Sequence, residues 1–285
     1  MSDKRRPSFP GVTVLKVLAV LFATEASALD LFPPESGDKV VLVVCPENRR
    51  GSEKVRGLID RSRGVGIPVL WHERKTKPDS LIEEIRRRGG EVGISWSYSQ
   101  MFPVELLNAF PRGILNMHGG KIPEYRGANV LPWAILNGET EIGVTWHGVV
   151  EEVDAGPIWD ETVVPVCPDD TSWTMRAKII EEGLVGFAKF WPRFKRGSTS
   201  PPPPDLTGGR VWPRRRPKDS ELPDQLSEQR VRNYFRALCP PWPAPFRIGE
   251  NGETVNLKGI VTGPQADTIP YLTAEGKLIH LQIAD

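Results

Sequence analysis

The chain has 285 residues, and its 37 Lys and Arg side chains almost balance its 36 Asp and Glu side chains, giving a net charge of +1 at pH 7. This balance provides no overall attraction toward nucleic acid or an anionic membrane surface. Hydrophobic residues make up 39% of the chain and charged residues 26%, which excludes a wholly disordered or fibrous protein. The distant cysteines Cys45, Cys167 and Cys239 exclude a disulfide framework or a CxxC metal site and favour a reducing, cytoplasmic compartment.

The amino terminus has some features of a secretion signal. Lys4-Arg5-Arg6 precede an apolar run, and Ala26-Ser27-Ala28 has the small-x-small form of a cleavage site. However, Lys16 divides the run, and the apolar part that remains is at the lower length limit of a signal peptide. A buried parallel strand over residues 14–22 explains the same run and is favoured. The sequence contains no stretch of about 20 apolar residues that could span a membrane.

Strand and helix patterns alternate from residue 39 to residue 118. Short β-branched runs predict strands, and apolar residues at spacings of three and four, closed by glycine, predict helices. Alternation at this spacing favours right-handed βαβ units and a parallel sheet covered on both faces. The predicted strands cover residues 39–44, 67–72, 92–96 and 113–118, and the predicted helices begin at residues 52, 78 and 103.

The pattern changes after Gly138. Two strands, over residues 142–150 and 157–166, are joined by an acidic loop and are expected to extend one edge of the sheet. Asp170 or Thr171 is expected to cap a long helix. The predicted inward stripe of that helix is Trp173, Ala177, Ile180, Leu184 and Phe187.

These elements predict an α/β fold: an open, mostly parallel Rossmann-like sheet with helices on both faces, plus a small C-terminal helix/β appendage. The catalytic domain is predicted over residues 1–199. A linker over residues 200–226 begins with four prolines, and its run Arg214-Arg215-Arg216 is interpreted as a solvated linker rather than a nucleic-acid site. Residues 227–285 are predicted to form the small β-rich domain, with a helical stripe followed by two hairpin signals.

Chemistry is expected where the strands of an open α/β sheet end. Asn116 and His118 are two residues apart at the end of a predicted strand, so they share one face. Asp154 follows in the acidic loop. Asn offers a donor for a developing oxyanion, His a base near neutral pH, and Asp an orienting carboxylate. From spacing alone, a structural hydrogen-bond pair is the commoner explanation of such a His and Asp.

Five motifs in order resemble the N10-formyltetrahydrofolate-dependent formyltransferases. They span about 45 residues and form a more specific match than a single short motif. A weaker similarity extends to Arg236-Ala237 and Pro241-Trp242-Pro243, near the start of the appendage. The five motifs are Asn116-Met117-His118, Pro-Glu-Tyr-Arg-Gly at 123–127, Trp-Ala-Ile-Leu-Asn-Gly-Glu at 133–139, Gly-Val-Thr-Trp-His at 143–147, and Val-Asp-Ala-Gly-Pro-Ile at 153–158.

The resemblance implies a formyl transfer from N10-formyltetrahydrofolate to a primary amine, with Asn116, His118 and Asp154 as catalytic residues and no metal. His147 is interpreted as a histidine of the pocket wall, and Trp133 as a core residue. The implied folate-binding residues are Ser97, Tyr98, Ser99, Gln100 and Met101, with Val149, Val150, Glu151 and Glu152 on the opposite side. The residues expected to bind the acceptor are Gly120, Lys121, Tyr125 and Arg126, with Lys121 and Arg126 as partners for a pyrophosphate.

The chain departs from the family pattern at three places. Gly120 replaces a common serine, Lys121 and Glu124 change the character of the loop, and the glycine-rich turn after the first strand is absent. These changes concern recognition of the acceptor more than the chemistry. The appendage is too short for a full tRNA-binding β-barrel, so an amino sugar on a nucleotide carrier is the preferred acceptor. Methionyl-tRNA formylation and formyltetrahydrofolate hydrolysis stay as alternatives, and a homodimer stays open.

Overall fold

The computed structural model of the protein describes residues 16–284. The strands are β1 (Leu18–Ala23), β2 (Lys39–Pro46), β3 (Val69–His72), β4 (Val92–Trp96), β5 (Ile114–His118), β6 (Arg126–Gly127), β7 (Glu141–Gly148), β8 (Ile158–Pro165), β9 (Val211–Trp212), β10 (Phe246–Ile248), β11 (Thr254–Val261), β12 (Thr268–Leu272) and β13 (Leu278–Ile283). The helices are α1 (Glu53–Gly64), α2 (Asp79–Arg87), α3 (Val104–Leu107), α4 (Val130–Asn137), α5 (Ser172–Lys195) and α6 (Glu228–Ala237). None of the described helices has the length and hydropathy needed to cross a lipid bilayer.

A seven-stranded sheet in the order β3-β2-β1-β4-β5-β7-β8 forms the centre of the molecule. Its first five strands are parallel, whereas β7 runs antiparallel to β5 and β8 antiparallel to β7. The apolar run near the amino terminus forms the central strand β1, which is almost entirely buried. The basic segment of residues 4–6 and the first two residues of the predicted strand lie outside the described residues. The mostly parallel α/β fold that the sequence predicts is confirmed.

Buried Asp38 fixes one end of this sheet. Its carboxylate is fully buried and accepts hydrogen bonds from the Val17 N–H at 3.0 Å and the Trp191 Nε1–H at 2.8 Å. The Lys195 ammonium lies 3.0 Å away and supplies a matching charge. The side chain therefore links the entrance of β1 to the last turns of α5.

The buried stripe of α5 differs from the predicted one. Thr171 caps the helix as expected, but Trp173 is 55% exposed and Ala177 is also exposed. Two glycines cause the difference, because a Cβ at Gly183 would lie 3.1 Å from Trp96 and a Cβ at Gly186 would lie 3.2 Å from Trp146. The helix thus approaches the sheet along a face on which two glycines interrupt the apolar spacing. The buried residues of this face are Ser172, Met175, Ile179, Gly183, Gly186, Phe187, Phe190, Trp191 and Phe194.

The carboxyl-terminal part forms a four-stranded antiparallel sheet in the order β10-β11-β13-β12, with α6 packed on it. It also contacts the part of the chain that forms the central sheet, since the Arg236 guanidinium donates to the carbonyls of Cys167 and Asp170, both at 3.0 Å.

The segment before this sheet is not a fully solvated linker, which corrects the interpretation of its arginines. Strand β9 pairs with β6, and Arg215 is buried with its guanidinium 4.4 Å above the Trp133 ring. The Trp133 indole attracts this cation, an interaction that a count of local charges does not reveal.

Candidate active site

A cleft of about 1050 Å³ opens at the carboxyl ends of β1, β4 and β5. Asn116, His118 and Asp154, the three residues predicted from the sequence, all line it. Its outer walls come from the segment 211–214 and from residues 240–243 of the carboxyl-terminal part. The sheet edge therefore brings the predicted trio together in a space large enough for two substrates.

His118 is the most enclosed member of the trio, with 6% of its surface exposed. Its Nε2 lies 2.5 Å from the carbonyl oxygen of Tyr125. Because a carbonyl can only accept, Nε2 carries the proton of the neutral ring. Nδ1 then faces the Asp154 carboxylate, with Oδ2 at 3.6 Å. A proton taken up at Nδ1 would thus be held next to a negative charge.

The pKa of His118 reflects opposing influences. Burial lowers it most, and the nearby His147 lowers it further. The Asp154 carboxylate and the Tyr125 carbonyl oppose this effect, but the net pKa stays below the ordinary value of about 6.5. The imidazole is therefore neutral at physiological pH, the state in which it can accept a proton.

Asp154 occupies a left-handed backbone conformation with φ of +46°. Its Oδ2 accepts a hydrogen bond of 2.7 Å from the Gly127 N–H, and its Oδ1 lies 3.4 Å from His147 Nε2. Burial acts to raise the pKa of Asp154, but His118, His147 and the Gly127 N–H together hold it well below its usual value. The carboxylate is thus ionised at every pH at which the protein would be assayed.

His147 has hydrogen-bond partners on both ring nitrogens but stands behind the residues that line the cleft. It is buried, with Nε2 3.1 Å from Asn116 Nδ2 and Nδ1 2.8 Å from the Gly148 carbonyl. Nδ1 therefore carries a proton and donates it to the Gly148 carbonyl, and Nε2 lies within hydrogen-bond distance of the Asn116 amide. Asn116 and His147 are directly paired across β5 and β7. The Asn-x-His and Gly-x-x-x-His motifs could have indicated this contact if the strand register had been known.

The predicted folate residues divide into two groups. Ser97, Tyr98, Ser99, Gln100 and Met101 all line the cleft. Residues 149–152 do not line it, although the next residues, Val153 and Asp154, do. The loop therefore contributes through its carboxyl-terminal end, while Val149 packs with the core cluster beneath.

Two polar atoms in the first group suit a hydrogen-bonding ligand. Ser99 Oγ and Gln100 Oε1 are buried and have no hydrogen-bond partner within the described part of the chain. Tyr98 is held in place, because its hydroxyl lies 2.7 Å from His72 Nδ1 and its ring packs against Phe22 and Phe102. Buried polar groups normally find partners, so the two free atoms fit the donor and acceptor groups of a pterin.

The predicted acceptor residues lie away from the main cleft. Gly120, Lys121 and Tyr125 line a separate cavity of about 110 Å³. Arg126 is 5% exposed and donates to the Val153 carbonyl at 2.9 Å and to Glu152 at 2.5 Å. Its guanidinium therefore holds the loop that carries Asp154, an arrangement that leaves it poorly placed to meet a ligand.

Gly120, the departure from the common serine, has a steric explanation. A Cβ at this position would lie 2.4 Å from the Tyr125 carbonyl oxygen and 2.7 Å from His118 Nε2. A side chain here would interrupt the contact between those two groups. In this chain the glycine lets the loop close on the histidine.

Several residues that line the cleft were missed by the sequence reasoning. They come from five separate segments, so no local pattern marks them as a group. They are the cations Arg49, Lys54, Arg74, Arg176 and Arg214 and the indoles of Trp173, Trp212 and Trp242. Among residues 16–284, no three His, Cys, Asp or Glu side chains are grouped to hold a metal ion.

Solved structures of other proteins share this fold. WlaRD, a sugar 3N-formyl transferase, is 16% identical with a TM-score of 0.68, covering 95% of this chain and 98% of its own. Glycinamide ribonucleotide transformylase 1 from Symbiobacterium toebii is 24% identical with a TM-score of 0.57, covering 69% and 94%. HypX from Aquifex aeolicus, in complex with tetrahydrofolic acid, is 18% identical with a TM-score of 0.62. The match covers 93% of this chain but only 43% of HypX, so the chain spans less than half of that protein.

At these low sequence identities, the structural similarity establishes a common fold and nothing more specific. The assignment to a family comes from the sequence itself, since the family model described as Formyl transferase matches residues 25–189, more than half of the chain. This match includes all five motifs and the trio at the sheet edge. The resemblance seen in the motifs is thereby confirmed, and the chain belongs to the formyl transferase family of enzymes.

Proposed function

We propose that this formyltransferase transfers the formyl group of N10-formyltetrahydrofolate to the primary amine of an amino sugar carried by a nucleotide. The donor is that of the family. The acceptor is supported by one observation: several cations, two of them without a salt-bridge partner among the described residues, and the exposed indole of Trp173 line the cleft that holds Asn116, His118 and Asp154. Ser99 Oγ and Gln100 Oε1 offer the donor two unused hydrogen-bonding atoms in the same cleft.

The donor supplies a formyl carbon that is open to attack by an amine. Asn116 Nδ2 has one N–H directed to His147, which leaves the other N–H to donate to the formyl oxygen as negative charge develops there. A well-placed donor of this kind stabilises the transition state by about 2–4 kcal/mol. His147 acts through Asn116 by fixing the orientation of its amide.

His118 transfers the proton from the attacking amine to the leaving nitrogen. As the new N–C bond forms and the bond from the formyl carbon to N10 breaks, the attacking amine must lose a proton. His118 accepts it at Nδ1, where Asp154 lies 3.6 Å away and stabilises the imidazolium. The proton then passes to the departing nitrogen, so atoms and charge balance over the reaction.

The rim of the cleft fits an anionic acceptor that carries an aromatic base. Arg49 and Arg74 have no salt-bridge partner among the described residues, and Arg214 donates only to the Ser99 carbonyl. Arginine recognises phosphate oxygens with paired N–H groups. Trp173 presents an exposed indole in the same cleft, with the Lys54 ammonium 5.3 Å from its ring centroid, and such a ring suits stacking with a nucleobase.

The test supplies wild-type protein with formyltetrahydrofolate and a panel of amines, and follows tetrahydrofolate release by absorbance. We expect turnover with nucleotide-linked amino sugars and little with free amino sugars, which lack the phosphates. Arg49→Ala and Arg74→Ala should each raise the acceptor KM by about tenfold, since one charged hydrogen bond contributes roughly 1.5–3 kcal/mol. Arg56→Ala, on the exposed side of α1, is the matched control.

Other outcomes would replace the proposal. Turnover restricted to methionyl-tRNA, with affinity that falls steeply with salt, would indicate the nucleic-acid substrate. Equal tetrahydrofolate release with and without any amine would indicate a hydrolase. Equal use of free and nucleotide-linked amino sugars would contradict the role of the cationic rim.

A further inference from the structure

The segment 209–215, which we call the strap, crosses the loop that carries the site's supporting groups. Its strand β9 pairs in parallel with β6, and the Arg126 N–H donates to the Arg210 carbonyl at 3.2 Å. The Ala128 N–H donates to the Trp212 carbonyl at 3.0 Å. The strap begins after the proline run and leads into the carboxyl-terminal part, so it lies outside the region matched by the family model.

The loop under the strap supports two of the three predicted catalytic residues through its backbone. The Tyr125 carbonyl accepts from His118 Nε2 at 2.5 Å. The Gly127 N–H donates to Asp154 Oδ2 at 2.7 Å. These two contacts set the tautomer of the histidine and the position of the carboxylate, and both come from within three residues of the chain.

Trp212 of the strap fixes this loop from the outside. Its ring stacks on Tyr125 with centroids 5.3 Å apart and an interplanar angle of 4°. Its Nε1–H donates to the Glu124 carbonyl at 3.0 Å, and the Arg210 guanidinium covers it at 4.0 Å. The indole is therefore held by one ring contact, one cation contact and a hydrogen bond at its polar edge.

Gly127 shows how closely the strap approaches the loop. Its φ is +100°, a conformation that favours glycine, and a Cβ here would lie 2.3 Å from the Trp212 carbonyl oxygen. The residue that donates to Asp154 is thus one against which the strap packs closely.

We propose that Trp212 is a positioning residue for formyl transfer, acting through Tyr125 and Gly127 on His118 and Asp154. The effect of Trp212 on catalysis rests on the proposed function. Its effect on the position of His118 can be tested without substrate. The strap makes the connection between the two parts of the chain a component of the active site. Displacement of a catalytic group by about 1 Å can reduce turnover by about a hundredfold.

The first test uses nitrogen NMR of the imidazoles in the ligand-free full-length protein, with His118 assigned by its loss in His118→Gln. Wild type should show His118 with a slowly exchanging proton on Nε2. Trp212→Ala should lose that proton signal, because Tyr125 is released. Trp212→Phe, which can still stack, should retain it. Trp71→Ala, which removes a half-buried indole at the other edge of the sheet, is the matched control.

The second test measures kcat and the donor KM of the same variants. Trp212→Ala should lower kcat about a hundredfold with little change in donor KM, and Trp212→Phe should restore most of the turnover. If Trp212→Ala does not fold, Trp212→Leu replaces it, since leucine keeps apolar volume but can neither stack nor donate.

The two proposals can fail separately. A folded Trp212→Ala or Trp212→Leu protein with an unchanged His118 signal overturns the positioning role. Absence of formyl transfer in wild type overturns the proposed function and leaves the NMR comparison valid.

Discussion

Asp154→Asn keeps the shape of the side chain that faces both imidazoles and removes its charge. The left-handed conformation at this position, with φ of +46°, is one that asparagine tolerates well. The amide oxygen can still accept the hydrogen bond from the Gly127 N–H. The substitution therefore isolates the electrostatic contribution of the carboxylate from its structural one.

The distance gives the expected magnitude. A full positive charge on His118, 3.6 Å from the carboxylate, is stabilised by about 4–5 kcal/mol at an effective dielectric constant of about 20. Loss of that stabilisation should lower kcat by about a thousandfold, at 1.36 kcal/mol for each factor of ten. Donor affinity should change little, because binding precedes the proton transfer.

Stopped-flow absorbance for tetrahydrofolate release would measure kcat, and tryptophan fluorescence would measure donor binding. The thermal unfolding midpoint shows whether the variant stays folded. A folded Asp154→Asn enzyme with turnover within tenfold of wild type would refute the role of the carboxylate in stabilising protonated His118.

Two further predictions concern pH and packing. Because burial holds the pKa of His118 below about 6.5 and only its neutral form accepts a proton, kcat/KM, once corrected for the separately measured protonation of the amine substrate, should fall on acidification with a midpoint below 6.5. Since Asp154 raises that pKa, Asp154→Asn should move the acid limb lower still, and a pH–rate profile with a midpoint above 6.5 after correction for the amine would contradict the assignment. Gly156→Ala should destabilise the protein by about 3 kcal/mol in urea unfolding and reduce turnover, because a Cβ there would lie 1.8 Å from the Gly148 carbonyl oxygen. The control Gly57→Ala, with nothing within 4 Å of its Cβ inside α1, should instead stabilise by about 1 kcal/mol, and equal effects of the two would refute the steric argument.

The order of strands and helices could be predicted from the sequence because the local pattern of apolar residues and glycines indicates each element. The β-branched run that forms β2 and the glycine-closed helix α2 need no knowledge of distant residues. The trio of Asn116, His118 and Asp154 was also accessible, since sheet topology brings strand ends together and the motifs reinforced it.

Two kinds of contact could not be predicted from the sequence: those that depend on strand register, and those in which glycines let a helix approach the sheet. His147 reaches Asn116 only through one particular pairing of β5 with β7, and a slip by one residue would present Trp146 instead. Trp173 was placed inside because hydrophobic periodicity weights large side chains, whereas α5 approaches the sheet through glycines. Arg126 was expected to meet a ligand because its pairing with a loop carbonyl and Glu152 depends on tertiary structure.

Buried Asp38 makes stabilising contacts far from the candidate active site. The carboxylate gathers the amino end of β1, an indole and an ammonium at the opposite rim of the sheet from the cleft. The stabilising contacts of Asp38 and the candidate active site thus lie at opposite ends of the same sheet. Substitutions around the cleft that change the acceptor would leave the contacts of Asp38 intact. The acceptor could therefore change during evolution while this part of the fold is retained.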